Sequence, residues 1–140
     1  MKKDDCIFCK LANGDIPTNT IYEDADFRVF LDAAPATKGH CLIVPKEHYA
    51  DLEELDENLA AKVLPLAKKM MKLLKDTLSW DGFNVVQNNK EIAGQTVFHF
   101  HTHLIPRYKG DGQNILWKPG KPAEGELESV LSDIVSKGEK

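Results

Sequence analysis

The sequence predicts an α+β domain, in which a largely antiparallel sheet of about five strands packs against one long helix and one or two short ones. Short apolar runs alternate with turn residues, which is typical of strands joined directly to their neighbours. Residues 56–78 sustain helical periodicity over several turns. The chain has 140 residues, which suits one domain, and we treat residues 1–140 as that domain.

The first half of the chain predicts a short knuckle and three strands. Residues 6–15 carry two cysteines, have room for a helical turn and are broken by an Asn-Gly pair. Residues 21–23 and 27–31 predict a hairpin, because an acidic turn separates two β-prone runs. Residues 41–44 form a continuous apolar run before a proline, which indicates a buried strand.

Residues 56–78 predict an amphipathic helix with Asp56 as its N-cap. Pro65 lies inside this segment and predicts a kink or a break, because proline lacks the donor that a helix needs. Five lysines fall largely between the apolar positions and form a solvated face. The apolar residues that recur at helical spacing are Leu59, Val63, Leu66, Met70, Leu73 and Leu74.

The second half of the chain predicts two more strands and a tail. An Asp-Gly turn precedes a strand at 83–88, and a loop at 89–94 leads into a strand at 97–105. The tail beyond residue 108 is at first rich in Gly, Pro and Lys. A short amphipathic helix is expected near its end, from the spacing of Leu127, Val130, Leu131 and Ile134.

The net charge of −4 argues against broad electrostatic binding to nucleic acid or to an acidic membrane. No apolar run approaches the roughly 20 residues of a membrane span, and none follows the lysines at the N-terminus as a secretory signal requires. We therefore expect a cytoplasmic protein. In that reducing compartment, the pair Cys6-x-x-Cys9 predicts metal ligands or a redox site before a structural disulfide.

The strongest chemical signal is the run His99, His101 and His103, which holds three of the five histidines in the chain. On a strand these side chains would share one face at a spacing of about 6.8 Å. A row of imidazoles suits either a catalytic metal or a nucleophile that attacks phosphorus. No carboxylate follows His103 to complete a metallohydrolase site, which favours the nucleophile. The alternating residues predicted to face the core are Phe98, Phe100, Thr102 and Leu104.

Residues 99–105, HFHTHLI, resemble the signature of the histidine triad (HIT) family of nucleotide hydrolases and transferases, if threonine is accepted at one apolar position. The resemblance covers about residues 5–108, leaves 109–140 as a C-terminal tail, and implies a HIT-like fold. Three further segments match the family's pattern: AGQT at 93–96, GHCLIVP at 39–45, and CIFC at 6–9, the last being similar to the start of the bacterial Hit or Hint-like branch.

Carried over by that resemblance, His101 attacks the α-phosphorus of a nucleotide, His103 binds the phosphate oxygens, and Thr96 protonates or positions the leaving group. Water then releases the nucleoside monophosphate from a covalent nucleotidyl-histidine. A purine nucleotide is the expected ligand, because its base pocket would be mainly apolar. The residues expected to bind it are Asp32, Asn88 and Gln95 at ribose and phosphate, His40 beside the phosphate, and Ile7, Phe8, Ile21 and Leu31 around the base.

The same resemblance implies that Cys6, Cys9, His48 and His99 form a closed, structural zinc site. Reduced, partly buried cysteines are the alternative, and a redox pair is disfavoured because no thioredoxin-like βαβ pattern surrounds these residues. Cys41, within an apolar run, is expected to be a core residue.

The expected activity is hydrolysis of nucleoside phosphoramidates or dinucleoside polyphosphates. Nucleotidyl transfer or phosphorolysis through the same intermediate, and nucleotide binding without catalysis, remain as alternatives. The resemblance also implies a homodimer, with the long helices and a sheet edge at the interface. Trp117 is a candidate for reaching the site of the neighbouring subunit.

Overall fold

The computed structural model describes residues 1–138. One antiparallel sheet of five strands has the spatial order β1-β2-β3-β5-β4, which confirms the predicted class. The strands are β1 Thr20–Glu23, β2 Phe27–Leu31, β3 Cys41–Pro45, β4 Gly82–Val86 and β5 Thr102–Arg107. The helices are α1 Ile7–Ala12, α2 Glu57–Leu78 and α3 Glu126–Gly138, and a 3-10 turn spans Glu91–Ala93.

The two faces of the sheet are covered by different helices, as alternation along β2 and β3 requires. One face packs against α2, and its buried residues include Phe27, Val29, Cys41, Ile43 and Leu104. The other face packs against α1, and its cluster contains Ala12, Phe30, Leu42 and Val44 with Phe8 and Leu11. Leu42 lies opposite His103 in the sheet, so the histidine emerges on the α1 side. A site that uses the side chain of His103 must therefore lie on the face of the sheet covered by α1.

The short helix α1 lies within the predicted knuckle and ends at the predicted Asn-Gly break. Cys6 is its N-cap, and the Cys6 Sγ accepts the backbone N–H of Cys9 at 3.4 Å. Asn13 ends the helix, and its side-chain amide donates to the carbonyl of Lys46 at 2.8 Å. This hydrogen bond ties the end of α1 to the chain that leaves β3.

Helix α2 begins at the predicted cap, because the Asp56 carboxylate accepts the backbone N–H groups of Asn58 and Leu59. Of the two outcomes predicted at Pro65, a break is wrong, since the helix runs without interruption to Leu78; a kink stays a prediction. Buried neighbours hold the helix on the sheet and outweigh the lost hydrogen bond. Leu73 was also placed wrongly, since 43% of it is exposed. The buried residues of α2 are Val63, Leu66, Ala67, Met70 and Leu74.

The predicted strand at 97–105 is wrong at its start, because β5 begins only at Thr102. Before that point the chain leaves the ladder, and the N–H of Phe100 donates to the carbonyl of Tyr49 at 2.6 Å. Phe100 is buried in the core below α2 as predicted, whereas Phe98 is 52% exposed. His99 and His101 therefore belong to an irregular segment that leads into the strand, and only His103 lies on it.

The predicted tail helix is present as α3, but it buries none of its residues. Its exposed apolar residues are Leu127, Val130, Leu131, Ile134 and Val135. Trp117, in the extended segment before α3, is 82% exposed. Within residues 1–138, no helix is both long enough and apolar enough to cross a membrane.

Candidate active site

A cleft of about 340 Å³ opens on the α1 face of the sheet and contains His101 and His103. One wall is apolar and is built from α1 and the end of β2. The residues that line the cleft are Phe8, Leu11, Pro17, Thr18, Asn19, Phe30, Leu31, Asp32, Ala33, Leu42, Thr96, Val97, His101 and His103.

The imidazole of His101 is held in one tautomer by the backbone. Its Nδ1 lies 2.7 Å from the carbonyl oxygen of His99. Because a carbonyl only accepts, Nδ1 must carry the proton, and Nε2 is left with a lone pair. Burial lowers the pKa of His101, so the ring is neutral near pH 7. The edge-to-face contact with Phe8, at 4.8 Å between ring centroids, fixes the plane of the ring.

A chain of hydrogen bonds also fixes the tautomer of His103. The backbone N–H of Ala36 donates to Nδ1 of His40 at 2.9 Å, so the proton of His40 must lie on Nε2. That Nε2 lies 3.0 Å from Nδ1 of His103, which therefore accepts. The proton of His103 is left on Nε2, where it can be donated. Burial, followed by the neighbouring histidines, lowers the pKa of His103 to about 4.

His40 was predicted to lie beside the phosphate, but the structure places it behind His103. It is buried, with 6% exposure, and it does not line the cleft. The carboxylate of Asp32 lies 3.5 Å from its Nε2. His40 therefore positions His103, and its own pKa is lowered by burial although Asp32 opposes that shift.

Four of the residues predicted at the catalytic or nucleotide site, besides the two histidines, do line the cleft. They are Phe8, Leu31, Asp32 and Thr96. The Asp32 carboxylate also accepts the N–H of Ala34 at 2.9 Å, which orients the loop after β2. Asn19 was missed, because it precedes β1 in a loop without any local signal. Its carbonyl accepts the N–H of Leu31 at 3.0 Å and so brings it to the cleft.

Other predicted ligand residues lie outside the cleft. Gln95 is 2% exposed, and its amide is occupied by the backbone of Lys90, Ala50 and Val97. Its contacts assign it to holding the loop that carries Thr96. Asn88 does not line the cleft. Its side-chain amide packs so closely against Gly94 that a Cβ added to the glycine would lie 3.3 Å from Nδ2 of Asn88.

Two of the predicted base-pocket residues are also elsewhere. Ile21 packs against the core below α2, which is the opposite side of the sheet from the cleft. Ile7 lines a neighbouring cavity together with Cys6 and His48. The apolar lining of the cleft therefore combines the predicted Phe8 and Leu31 with residues that were not predicted, chiefly Leu11 and Phe30.

The predicted metal ligands Cys6, Cys9, His48 and His99 do come together, and one ligand atom from each lies within 4.8 Å of all the others. Nδ1 of His99 lies 3.3 Å from Sγ of Cys6 and 3.5 Å from Sγ of Cys9. Nδ1 of His48 lies 3.5 Å from Sγ of Cys9. These separations are close to the edges of a tetrahedron with zinc–sulfur bonds of about 2.3 Å and zinc–nitrogen bonds of about 2.0 Å. The cluster could hold a metal ion.

His99 is prepared for that role by its other ring nitrogen. The ring is fully buried, and Nε2 lies 2.9 Å from the carbonyl of Pro45. Nε2 must therefore be the donor, which leaves the Nδ1 lone pair among the sulfur atoms. Burial lowers the pKa of His99 to about 4, so the ring stays neutral as a metal ligand must.

Residues 13–110 match the family model described as the HIT domain. The chain belongs to the HIT family. It is 41% identical to a Schizosaccharomyces pombe HIT relative named adenosine 5′-monophosphoramidase, over 94% of this chain and 97% of that protein. Among solved structures, SMU.412c from Streptococcus mutans has a TM-score of 0.90 at 40% identity, covering 97% of this chain and 87% of that one. A zinc-bound histidine triad protein from Mycobacterium smegmatis has a TM-score of 0.75 at 34% identity, covering 95% and 97%.

These HIT relatives confirm the fold that the sequence predicts. The family is also the one suggested by the triad, and the match begins at residue 13, far before the triad in the chain.

Proposed function

We propose that this HIT protein hydrolyses the bond between the α-phosphate of a purine nucleotide and its leaving group, through a covalent nucleotidyl-histidine at His101. The observation that carries the proposal is the pair of fixed tautomers in one cleft. His101 offers a lone pair on Nε2, while His103 offers a proton on its own Nε2. A nucleophile beside a donor is the arrangement that phosphoryl chemistry requires.

In the first step, Nε2 of His101 forms a bond to the α-phosphorus and the bond from phosphorus to the leaving group breaks. His103 donates to a non-bridging oxygen and so stabilises the charge that develops there. The hydroxyl of Thr96, at the cleft wall, passes a proton from solvent to the departing group. In the second step, water attacks phosphorus and breaks the nitrogen–phosphorus bond. The products are a nucleoside monophosphate and neutral His101.

The rest of the cleft suits a nucleoside. Phe8, Leu11 and Phe30 offer an apolar surface for a purine base. The carboxylate of Asp32 is a suitable acceptor for ribose hydroxyls, since it lines the same cleft. The activity named for the S. pombe relative, cleavage of an adenosine monophosphoramidate, agrees with this arrangement.

The proposal includes a structural zinc ion held by Cys6, Cys9, His48 and His99. Two thiolates and two neutral imidazoles form a closed set, so zinc would supply rigidity and would leave no open position for a substrate. The zinc-bound M. smegmatis relative supports this assignment. His99 links the two sites, because its ring belongs to the cluster and its carbonyl orients His101.

We also propose a cytoplasmic homodimer. Support for the dimer comes from the exposed apolar residues of α2 and of the edge strand β4, notably Leu64 at 67% and Val85 at 40% exposure. The exposed Trp117 remains the candidate for contact with the other subunit. Three free cysteines support a reducing compartment.

The test of the function is AMP release from an adenosine phosphoramidate by the parent protein and by His101→Ala. Turnover by the parent and a loss of at least about a thousandfold in the variant is expected for removal of a nucleophile. Quenching the parent early in the reaction should also trap an acid-labile nucleotidyl-protein, which the variant cannot form. Equal turnover by the two proteins would refute the proposal.

A further inference from the structure

The loop between β2 and β3 decides how His40 is oriented, because the backbone N–H of Ala36 in this loop donates to Nδ1 of His40. Three consecutive residues of the loop are hydrogen-bonded to the end of β5 and to the chain that follows it. These hydrogen bonds join Nε2 of Gln113 to the carbonyl of Ala36 at 2.8 Å, the hydroxyl of Tyr108 to the carbonyl of Lys38 at 2.7 Å, and the hydroxyl of Thr37 to the carbonyl of Pro106.

A charged pair folds the chain after β5 into the shape that these hydrogen bonds need. The guanidinium of Arg107 donates twice to the carboxylate of Asp111, at 2.8 Å and 3.0 Å. The same carboxylate accepts the backbone N–H groups of Tyr108 and Gln113, each at 3.0 Å. Arg107 also donates to the carbonyl of Gln113 at 2.7 Å. Residues 107–113 therefore form a closed turn around one carboxylate, which we call the clamp.

We propose that the clamp positions the proton donor of the active site, with Asp111 and Gln113 as positioning residues that act through His40. The inference rests on the proposed function, because it concerns the donor that the phosphate meets. The clamp holds Ala36, Ala36 fixes the tautomer of His40, and His40 keeps the proton of His103 on Nε2. Neither positioning residue lines the cleft, so both act at a distance from the substrate.

The clamp acts on the part of the loop that packing leaves free. Residues 33–35, just before Ala36, are exposed. Gly39, at the other end, is held by close packing, because a Cβ added there would lie 2.5 Å from the side chain of Leu78. The carbonyl of Ala36 is therefore the point at which the clamp can fix the peptide groups that face His40.

The clamp keeps its charges throughout the neutral pH range. Hydrogen bonds from Arg107, and then from two backbone N–H groups, hold the pKa of Asp111 well below its usual range. A charged, bidentate pair is stronger and more directional than a neutral hydrogen bond. The side chain of Asp111 is only 10% exposed, so water does not easily replace its partners.

The experiment removes the clamp carboxylate and compares the result with loss of an ordinary ion pair of the same spacing. Asp111→Ala should lower kcat for an adenosine phosphoramidate by about tenfold and change KM by less than about twofold, since the imidazoles remain and only their orientation is lost. Asp76→Ala is the matched control, because Asp76 also pairs with a cation four residues before it, Lys72, but on the exposed surface of α2. This control should keep kcat within about twofold of the parent.

A milder variant separates the hydrogen bond to Ala36 from the folding of the clamp. Gln113→Met removes the donor but keeps a side chain of similar length, and it should lower kcat by about threefold. Gln113→Lys places a donor at the same position and should recover most of that loss. Equal losses in these two variants would overturn the role of Gln113. Chemical denaturation of each variant checks that it is folded.

Nitrogen-15 NMR of His103 makes the test independent of turnover. The parent and Asp76→Ala should carry the proton of His103 on Nε2, whereas Asp111→Ala should show a mixture of the two tautomers. A parent-like His103 spectrum in Asp111→Ala would overturn the proposal, even if the stability or kcat of that variant fell. Failure of all turnover, with the change of tautomer in Asp111→Ala observed, would instead refute the proposed function and leave the positioning role of the clamp standing.

Discussion

Replacement of His40 tests whether a buried residue controls the donor at the centre of the site. His40→Ala removes the proton donor to Nδ1 of His103 and the acceptor for the N–H of Ala36. Without this hydrogen bond, no neighbouring group favours the tautomer of His103 that carries its proton on Nε2. A neutral histidine that exchanges freely between tautomers presents the productive donor for only part of the time, and its ring also loses orientation.

The magnitude follows from the two hydrogen bonds. Each is lost from a side chain that is only 6% exposed, and a buried group left without a partner costs about 1–3 kcal/mol. Water that enters the space left by the imidazole recovers part of this. We therefore expect a loss of about 2 kcal/mol in the free energy of unfolding. For catalysis, loss of one oriented donor predicts a decrease of about ten- to a hundredfold in kcat, with a smaller change in KM.

His40→Gln is the matched control, because its amide keeps both a donor and an acceptor at this position. The assay is steady-state hydrolysis of an adenosine phosphoramidate by the parent, His40→Ala and His40→Gln, with chemical denaturation to measure stability. Nitrogen-15 NMR of His103 reports its tautomer directly. A variant that loses stability but keeps both kcat and the His103 tautomer would refute the positioning role and leave His40 as a packing residue.

Three further predictions concern stability, metal and the core. In the metal-free protein, the unfolding free energy should fall as the pH drops from about 6.5 to about 4, because the unfolded chain takes up protons on His99 and His103 before the folded chain does. A pKa near 4 in the fold sets an upper limit of about 3 kcal/mol for the contribution of each of these two histidines. A stability that is flat across this window in denaturant titrations would contradict the assignment. Zinc analysis should give one ion per chain for the parent. Cys9→Ser should lose the metal and lower the melting temperature by several degrees, whereas Cys41→Ser should keep the metal because Cys41 lies in the core below α2. Equal metal content in all three proteins would rule out the cluster as a zinc site. On α2, Met70→Ala should lower the unfolding free energy by about 2–5 kcal/mol and Leu73→Ala by less than about 1 kcal/mol. The reason is that Met70 is 1% exposed and Leu73 is 43% exposed. Equal losses in the same denaturation assay would mean that the helix is rotated from its described position.

Local physics accounts for the elements that the sequence predicts well. The β1–β2 hairpin follows from alternation around the acidic turn, and Asp24 indeed closes that turn by accepting the N–H groups of Asp26 and Phe27. The start of α2 follows from the capping chemistry of Asp56. In these places the contacts that decide the conformation lie within a few residues, so a short window of sequence contains them.

The errors occur where partners are distant in the chain. Residues 97–101 alternate as a strand would, but the ring of His99 is held by Pro45, Cys6 and Cys9. The backbone of Phe100 is held by Tyr49. Gln95 was expected by resemblance to bind the ligand, whereas the structure shows its side-chain amide donating to the carbonyl of Ala50, 45 residues away in the chain. Such long-range contacts are absent from any local pattern.

The candidate site could be predicted only in part from the sequence. The histidine run and the Cys6-x-x-Cys9 pair are visible in the sequence itself, whereas resemblance to a family supplied the roles of the histidines. Spacing alone would not have joined His48 to Cys6 and Cys9. The function of His40 became visible only from its hydrogen bonds, since a residue that acts through another has no signature of its own.

The two hydrogen-bonding roles of position 99 have different consequences for evolution. His101, the proposed nucleophile, is oriented by a main-chain carbonyl, which every amino acid provides, whereas the proposed metal site uses the imidazole that only histidine provides. A lineage can therefore replace the cluster by ordinary apolar packing, one side chain at a time, without ever deleting the acceptor on which the chemistry depends. If the two proposals hold, metal binding is for this reason a trait that descendants of such a protein can discard while they retain catalysis.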